Sequence, residues 1–272
     1  MASFVLSEST HTLRIDPWEQ RFPGLAAGFT LRTGGHSEAP YASQNMGLHV
    51  GDDPAHVTSN RRLLCARIDM PFDAWTCADQ VHGKEVQQIV RLQTGAGKER
   101  LDDCIQGTDG LHTVEHGILL TSFYADCVPL YFLDPKSGAI GLAHAGWRGT
   151  VARIAKEMME AFGHHYGSNA LDLAVAIGPA IGGCCYEVDE RIVDQIKQTT
   201  TRWQESVTSL ANGKYLLDLA LLNRFVLAEC GVPEEHILSS NWCTSCHTDL
   251  FFSYRKEGGK TGRMASFIGW RM

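Results

Sequence analysis

Long apolar runs are missing from this chain. Its hydrophobic stretches are strand-sized and broken by Asp, Gly or Pro, so none spans a bilayer. Basic runs are missing too: the formal net charge is −7, and without a stripe of Lys and Arg an extended nucleic-acid groove is excluded. A small anion is not excluded, because one pocket can be basic on an acidic protein. The opening "MASFVLSESTHTLRID" has neither a basic flank nor an apolar core, so it does not read as a secretory signal and a cytoplasmic location is expected. The nine cysteines are an odd number spread over 272 residues, which points to reduced thiols and not to a disulfide scaffold. Internal repeats, low-complexity tracts, linker-like stretches and heptads are absent. The expectation is one domain over residues 1–272, with residues 1–20 as a peripheral N-terminal segment.

What is present alternates between two periods. "GILLTSFY", "VPLYFLD", "AIGLAHA" and "LDLAVAIGP" are apolar runs rich in β-formers and read as buried strands, with "TGRMASFIGW" a weaker closing strand. Val151, Ile154, Ala155, Met158 and Phe162 recur at helical spacing and predict a helix ending near Gly163. Asp52 or Asp53 caps another over "AHVTSNRRLLCARI", with Pro54 in its first turn. "YEVDERIVDQIKQ" and "YLLDLALLNRFVLAEC" read as two more, the second stopped by Gly231 and Pro233. Strands and helices interleave without a strict βαβ rhythm, so the reading is α+β with mixed sheets in one domain.

The stretch "FYADCVPLYFLDPKSGAIGLAHAGWRGT" reads as a β-hairpin turning at Pro135-Lys136-Ser137-Gly138. If Pro135 pairs with Gly138, Cys127 faces Gly146 and Pro129 faces His144. Cys127 and His144 are then diagonal neighbours on one face, with Cα atoms roughly 7–8 Å apart. A three-residue tip would put them on opposite faces. His82, in "CADQVHGKEV", ends a short β-like stretch and is a third candidate donor. Cys and His suit zinc, and three protein ligands leave a fourth position open. The spacing matches no compact zinc motif, and lone His and Cys are more often packing residues, so on the residues alone these three read first as part of the core.

The ordered series "LRTGGHSEAPYASQNMGLHVGDD", "DQVHG", "TDGL", "ADCVPL", "HAGWRGT", "AIGPAIGGCCYEV" and "DLFFSYRKEGGKTGR" resembles the YfiH/YlmD family, from about residue 28 to the C-terminus. Its members were first described as laccase-domain, or multicopper polyphenol oxidase, proteins and later reassigned as purine nucleoside phosphorylases. The likeness is to the bacterial YlmD branch. It implies a layered fold with mixed sheets and one metal held by the residues matching His82, Cys127 and His144. It also implies phosphorolysis of adenosine, inosine, guanosine and methylthioadenosine, with adenosine deamination as a side activity. The partners implied are purine nucleosides and phosphate. Zinc is the metal expected from the donors, and copper accepts the same set. Departures at His36 and Gln44, where the family often has other residues, are expected to alter the rim of the pocket.

Phosphorolysis needs an anionic nucleophile held against the anomeric carbon while water is kept away. Arg148 and Gly149, where a strand turns into a helix, and Arg32, in the Gly-rich segment, are candidate phosphate clamps. Asp126 is a candidate to orient a metal-bound histidine, or else to cap a turn. Asn45 is a candidate for bonding the purine or ribose, or for stabilising its loop. The alternatives are a cysteine hydrolase with Cys127 as nucleophile and His144 as base, a copper-dependent polyphenol oxidase, and a metal-stabilised binding module. The zinc-deaminase pattern H-x-E with P-C-x-x-C is absent. "CTSCH" (243–247) matches haem attachment, which the missing export signal argues against, and no second C-x-x-C completes a zinc ribbon. Adjacent Cys184 and Cys185 read as close-packed backbone, with a vicinal disulfide as the alternative.

Overall fold

The computed structural model describes residues 3–272. One sheet takes β1 (Phe4–Ser7), β2 (Thr12–Ile15), β3 (Leu25–Thr30), β4 (Trp75–Cys77), β7 (Leu119–Tyr124) and β15 (Met264–Trp270), in the order β1-β2-β3-β15-β7-β4. A second takes β5 (Val86–Gln88), β6 (Gly110–Thr113), β8 (Val128–Leu133), β9 (Ile140–Ala145), β10 (Ala174–Ile177) and β14 (Ile237–Ser239), in the order β14-β10-β8-β9-β6-β5. A small third sheet joins β11 (Glu187–Val188), β12 (Val207–Ser209) and β13 (Tyr215–Leu217). Both large sheets mix parallel and antiparallel pairs, as the α+β reading expects.

Side-chain alternation stacks these sheets. Along β8, Val128, Leu130 and Phe132 face a core shared with α4 (Ile154–Tyr166) and α6 (Leu219–Glu229), while Tyr131 and Leu133 face the other large sheet. Along β7, Leu120 and Tyr124 join that inter-sheet core, and Leu119 and Phe123 turn outward under α2 (Pro54–Arg67). The result is four layers, helix, sheet, sheet, helix. Because β8 and β9 are covered on both faces, they read as continuous apolar runs. Each large apolar side chain so enclosed contributes about 1.5–3 kcal/mol.

Asp53 caps α2, accepting from the Ala55 amide at 2.8 Å, with Pro54 in the first turn as expected. Other boundaries differ from expectation. The helix foreseen from Val151 is two pieces, α3 (Trp147–Val151) and α4, and α4 runs past Gly163 to a left-handed Gly167 (φ 66°). "YEVDERIVDQIKQ" and "YLLDLALLNRFVLAEC" each open with a strand, β11 and β13. Their helices, α5 (Glu190–Ile196) and α6, start only after Asp189 and Asp218, which accept from the amides of Ile192 and Leu221. The supposed weak closing strand, β15, lies inside its sheet between β3 and β7. Helix α1 (Asp16–Arg21) follows the β1–β2 hairpin, whose Leu13 and Ile15 are fully buried.

Candidate metal centre and substrate cavity

The hairpin register is the one the sequence implies. Pro129 pairs with His144 and Leu133 with Ile140, although the connection holds four residues, closed by Asp134 N–H to Ala139 O, instead of a two-residue tip. Cys127 stands just before β8 and His144 near the end of β9, so both come to the same mouth of the hairpin. His82 arrives from the loop between β4 and β5, with its backbone left-handed at φ 59°. The three donor atoms lie within 4.8 Å of one another. Cys127 Sγ is 4.0 Å from His82 Nε2, and the two imidazoles meet edge to face with centroids 4.7 Å apart. Gly146 makes room: a Cβ there would come within 3.0 Å of the His82 ring and 3.1 Å of the Cys127 sulfur.

Asp109, just before β6, holds the centre together. Its carboxylate bonds His144 Nδ1 at 2.7 Å and accepts from the amides of Val81, His82 and Gly83 at 3.1, 3.1 and 2.7 Å. One buried side chain thus orients one imidazole, leaving its Nε2 for a metal, and fixes the loop bearing the other. Burial opposes the charge on Asp109, but His144 and the loop amides outweigh it and hold the carboxyl below its ordinary value. Burial also opposes ionisation of Cys127 and His144. Their mutual attraction wins, with help from Asp109 on the imidazole, bringing the thiol down to about 6 and the imidazole up to about 9. Two imidazoles and one readily ionised thiol converge on one point, joined by no fourth donor among the described residues, and so fit a divalent ion with an open position.

A cavity of about 580 Å³ opens over these three residues, a size suited to a small ligand. Its walls include four aromatic residues, Phe123, Trp147, Tyr186 and Tyr254, and three arginines, Arg148, Arg255 and Arg263. Asp79 and Asp126 also line it. The three arginines make this a basic pocket on an acidic chain. His49 is a further wall residue; desolvation and then Arg263 push its pKa down to about 4, so it faces the cavity neutral. A larger groove of about 790 Å³ runs nearby over Gly182, Asp218 and Trp242, but none of the three candidate ligands lines it.

The remaining sequence candidates divide. Arg148 lines the cavity, its guanidinium 4.7 Å from the Trp147 ring centroid. Arg32 does not: it bonds Thr248 O and Glu257 Oε1 at 2.7 and 3.1 Å and lies over Phe252, tying the 248–257 segment to β3's end. Gly149 is packed beneath the site, where a Cβ would sit 2.9 Å from Gly83 O, so its smallness serves close packing. Asn45 is fully buried outside the lining and holds the amides of Gly47 and Arg263. Asp126 bonds no histidine; its oxygens accept from Thr244 Oγ1 and the Arg255 amide, both at 2.7 Å. Asp109 takes the orienting role instead. His36 and Gln44 lie away from the cavity, Gln44 buried against Leu31 O and Arg67. Asp109, Arg255 and Arg263 were missed, although each stands in a quoted motif: "TDGL", "SYRKEGG" and "TGR".

The family described as multi-copper polyphenol oxidoreductase laccase matches residues 26–271. A relative from Geobacillus stearothermophilus, called purine nucleoside phosphorylase YlmD, is 46% identical over 92% of this chain and 92% of its own. The protein of that name from Bacillus subtilis is 40% identical over 96% of this chain and 95% of its own. The crystal structure of YlmD from Geobacillus stearothermophilus superposes with a TM-score of 0.96 at 44% identity, covering 100% of both chains. With its fold, its His–Cys–His centre and these likenesses in agreement, the chain belongs to the family described as multi-copper polyphenol oxidoreductase laccase and stands alongside the YlmD proteins.

Proposed function

We propose that the chain is a metal-dependent purine nucleoside phosphorylase, cleaving the N-glycosidic bond of adenosine, inosine, guanosine and methylthioadenosine with inorganic phosphate. One observation carries this reading: a single cavity joins the His82–Cys127–His144 centre to three arginines and a set of aromatic faces. Arg148, Arg255 and Arg263 seat the phosphate by charge-assisted hydrogen bonds. Tyr186, Phe123 and Trp147 offer faces for a purine ring. A phosphate oxygen attacks C1′, the electron pair of the C1′–N9 bond leaves with the purine, and the purine takes up one proton. Apolar walls keep water from competing with phosphate. An ion held by His82, Cys127 and His144, with zinc proposed and copper suited to the same donors, would supply positive charge beside the reacting anion.

Adenosine deamination is the proposed side activity, and the location proposed is cytoplasmic; among the described residues no helix is long and apolar enough to cross a membrane. The ionised Cys127 beside His144 favours a second reading, a cysteine hydrolase. A thiolate bound to metal is not free to attack, so the two readings separate on metal content. The deciding experiment incubates the purified protein with inosine, with and without phosphate. Hypoxanthine and ribose-1-phosphate formed only with phosphate support the phosphorylase. Phosphate-independent cleavage, or full activity in Cys127→Ala, overturns it. Inosine formed from adenosine without phosphate tests the deaminase arm.

A further inference from the structure

Four other cysteines come together on the far side of the Asp126 segment. Cys184 and Cys185 sit in the turn between β10 and β11, and Cys243 and Cys246 in the turn after β14. Their sulfurs all lie within 4.8 Å of one another. Cys246 is 3.5 Å from Cys184 and 3.4 Å from Cys185, across 62 and 61 residues of chain. None of the four is in a disulfide. The sequence reading of a close-packed pair and an incomplete C-x-x-C therefore misses that each pair completes the other.

We infer that Cys184, Cys185, Cys243 and Cys246 form a second, structural metal site that binds one zinc ion through four thiolates. Four sulfurs around one zinc at about 2.3 Å would stand roughly 3.8 Å apart, close to the spacing found. The group is too tight to admit the irons and sulfides of a four-iron cluster. Thiolate donors select a soft ion, and four protein ligands leave no position for substrate, so the site is a clamp and not a catalyst. The backbone is arranged for it. The Gly182 amide donates to Cys243 Sγ at 3.2 Å, and a Cβ at Gly182 would come within 3.3 Å of the Cys184 sulfur and 3.5 Å of the Cys243 sulfur. The clamp would pin together two connections that build one wall of the cavity. Ile181 and Tyr186 line that wall, and Thr244, between the two later cysteines, donates to Asp126 beside Cys127.

The test is zinc content per chain in three proteins purified under reducing conditions. Wild type is expected to carry two zinc ions, His82→Ala/His144→Ala one, and Cys243→Ser/Cys246→Ser one. Wild type loaded with cobalt should show tetrathiolate charge-transfer bands, and these should persist in the histidine double variant. Should the cysteine variant fail to fold, titrating wild type with a mercurial reagent decides: one zinc released as these four thiols are modified supports the clamp. Undiminished zinc in a folded Cys243→Ser/Cys246→Ser protein overturns it. So does wild type whose four thiols are joined as disulfides or react without releasing metal. Because the readout is stoichiometry and spectrum, these outcomes stand whether or not the protein proves to be a phosphorylase.

Discussion

Replacing Asp109 with Asn keeps the shape of the side chain and removes one acceptor from a place that uses both. In the native site Oδ1 takes His144 Nδ1 and the His82 amide, and Oδ2 takes the Val81 and Gly83 amides. An Asn NH2 group in the Oδ2 position would confront two N–H groups. In the Oδ1 position it would confront the His82 amide and force His144 Nδ1 to accept, moving the imidazole proton onto the nitrogen a metal requires. Either way one ligand is spoiled. Losing such an orienting partner typically weakens metal binding about 10- to 100-fold, or ~1.4–2.8 kcal/mol. An unpaired buried amide costs about 1–3 kcal/mol of stability, a fall in Tm of roughly 2–5 °C for a chain of this size. Zinc affinity measured by chelator competition, and Tm with excess chelator, read the two effects separately. Asp134→Asn is the control: it spoils an equally buried carboxylate, bonded to Ser137 and Ser168 at the other end of β8, and touches none of the three ligands, so its zinc affinity should match wild type. An Asp109→Asn protein whose zinc affinity stays within about threefold of wild type would refute this account of the centre.

Arg148→Ala should raise the phosphate KM about tenfold or more with Tm unchanged, since it removes a charged donor at the cavity. Arg32→Ala should do the reverse, losing its bonds to Thr248 and Glu257 and about 1–3 kcal/mol of stability at an unchanged phosphate KM; initial rates against phosphate and thermal melts check both. Gly146→Ala puts a methyl group against the His82 ring and the Cys127 sulfur, so zinc affinity by chelator competition should fall while the fold persists. His112 is buried with Nδ1 2.7 Å from the Tyr166 hydroxyl; desolvation, then His165, lower its pKa from 6.5 to about 4. The unfolded chain therefore binds the extra proton first. Stability from His112 is full above pH 6.5 and is lost as pH falls towards 4, by up to about 3 kcal/mol. His112→Gln should flatten the pH dependence of Tm over that window.

The part of the site legible in the sequence is the part set by local periodicity. The turn Pro135-Lys136-Ser137-Gly138 and two flanking apolar runs suffice to place Pro129 opposite His144, because a hairpin's register follows its turn. A four-residue connection preserves the register of the supposed two-residue tip, since both keep the same opposing pairs. His82 could be proposed but not placed, because its loop takes its shape from Asp109, 27 residues along the chain. The same limit hid the place of Arg255 and Arg263 in the cavity wall, and left unseen that Arg32 bonds Thr248 and Glu257 outside it. Strand β15 looked marginal for a related reason: a seven-residue run ending the chain gives no sign that β3 and β7 will enclose it. The cysteine clamp shows the limit most clearly, since half a motif in each of two distant turns looks like no motif at all.

Two features of the backbone explain why a carboxylate lies behind each loop-borne ligand. His82 and Asp126 both occupy the positive-φ region, at 59° and 94°, where a residue with a side chain costs about 1–3 kcal/mol. Glycine would relieve that cost, yet at 126 it could not accept from Thr244 and Arg255, bonds that hold the chain in the conformation from which Cys127 leaves. At 82 the strain is offset from outside, by three consecutive amides turned onto Asp109. His144 needs no such support for its backbone, because β9 supplies it, and Asp109 has only to set its ring. The centre is thus one ligand fixed by a sheet and two held by buried carboxylates in conformations the chain would not otherwise keep. Substitutions at Asp109 and Asp126 should therefore move different ligands, Asp109 the two imidazoles and Asp126 the Cys127 sulfur, and each should lower zinc affinity in chelator competition.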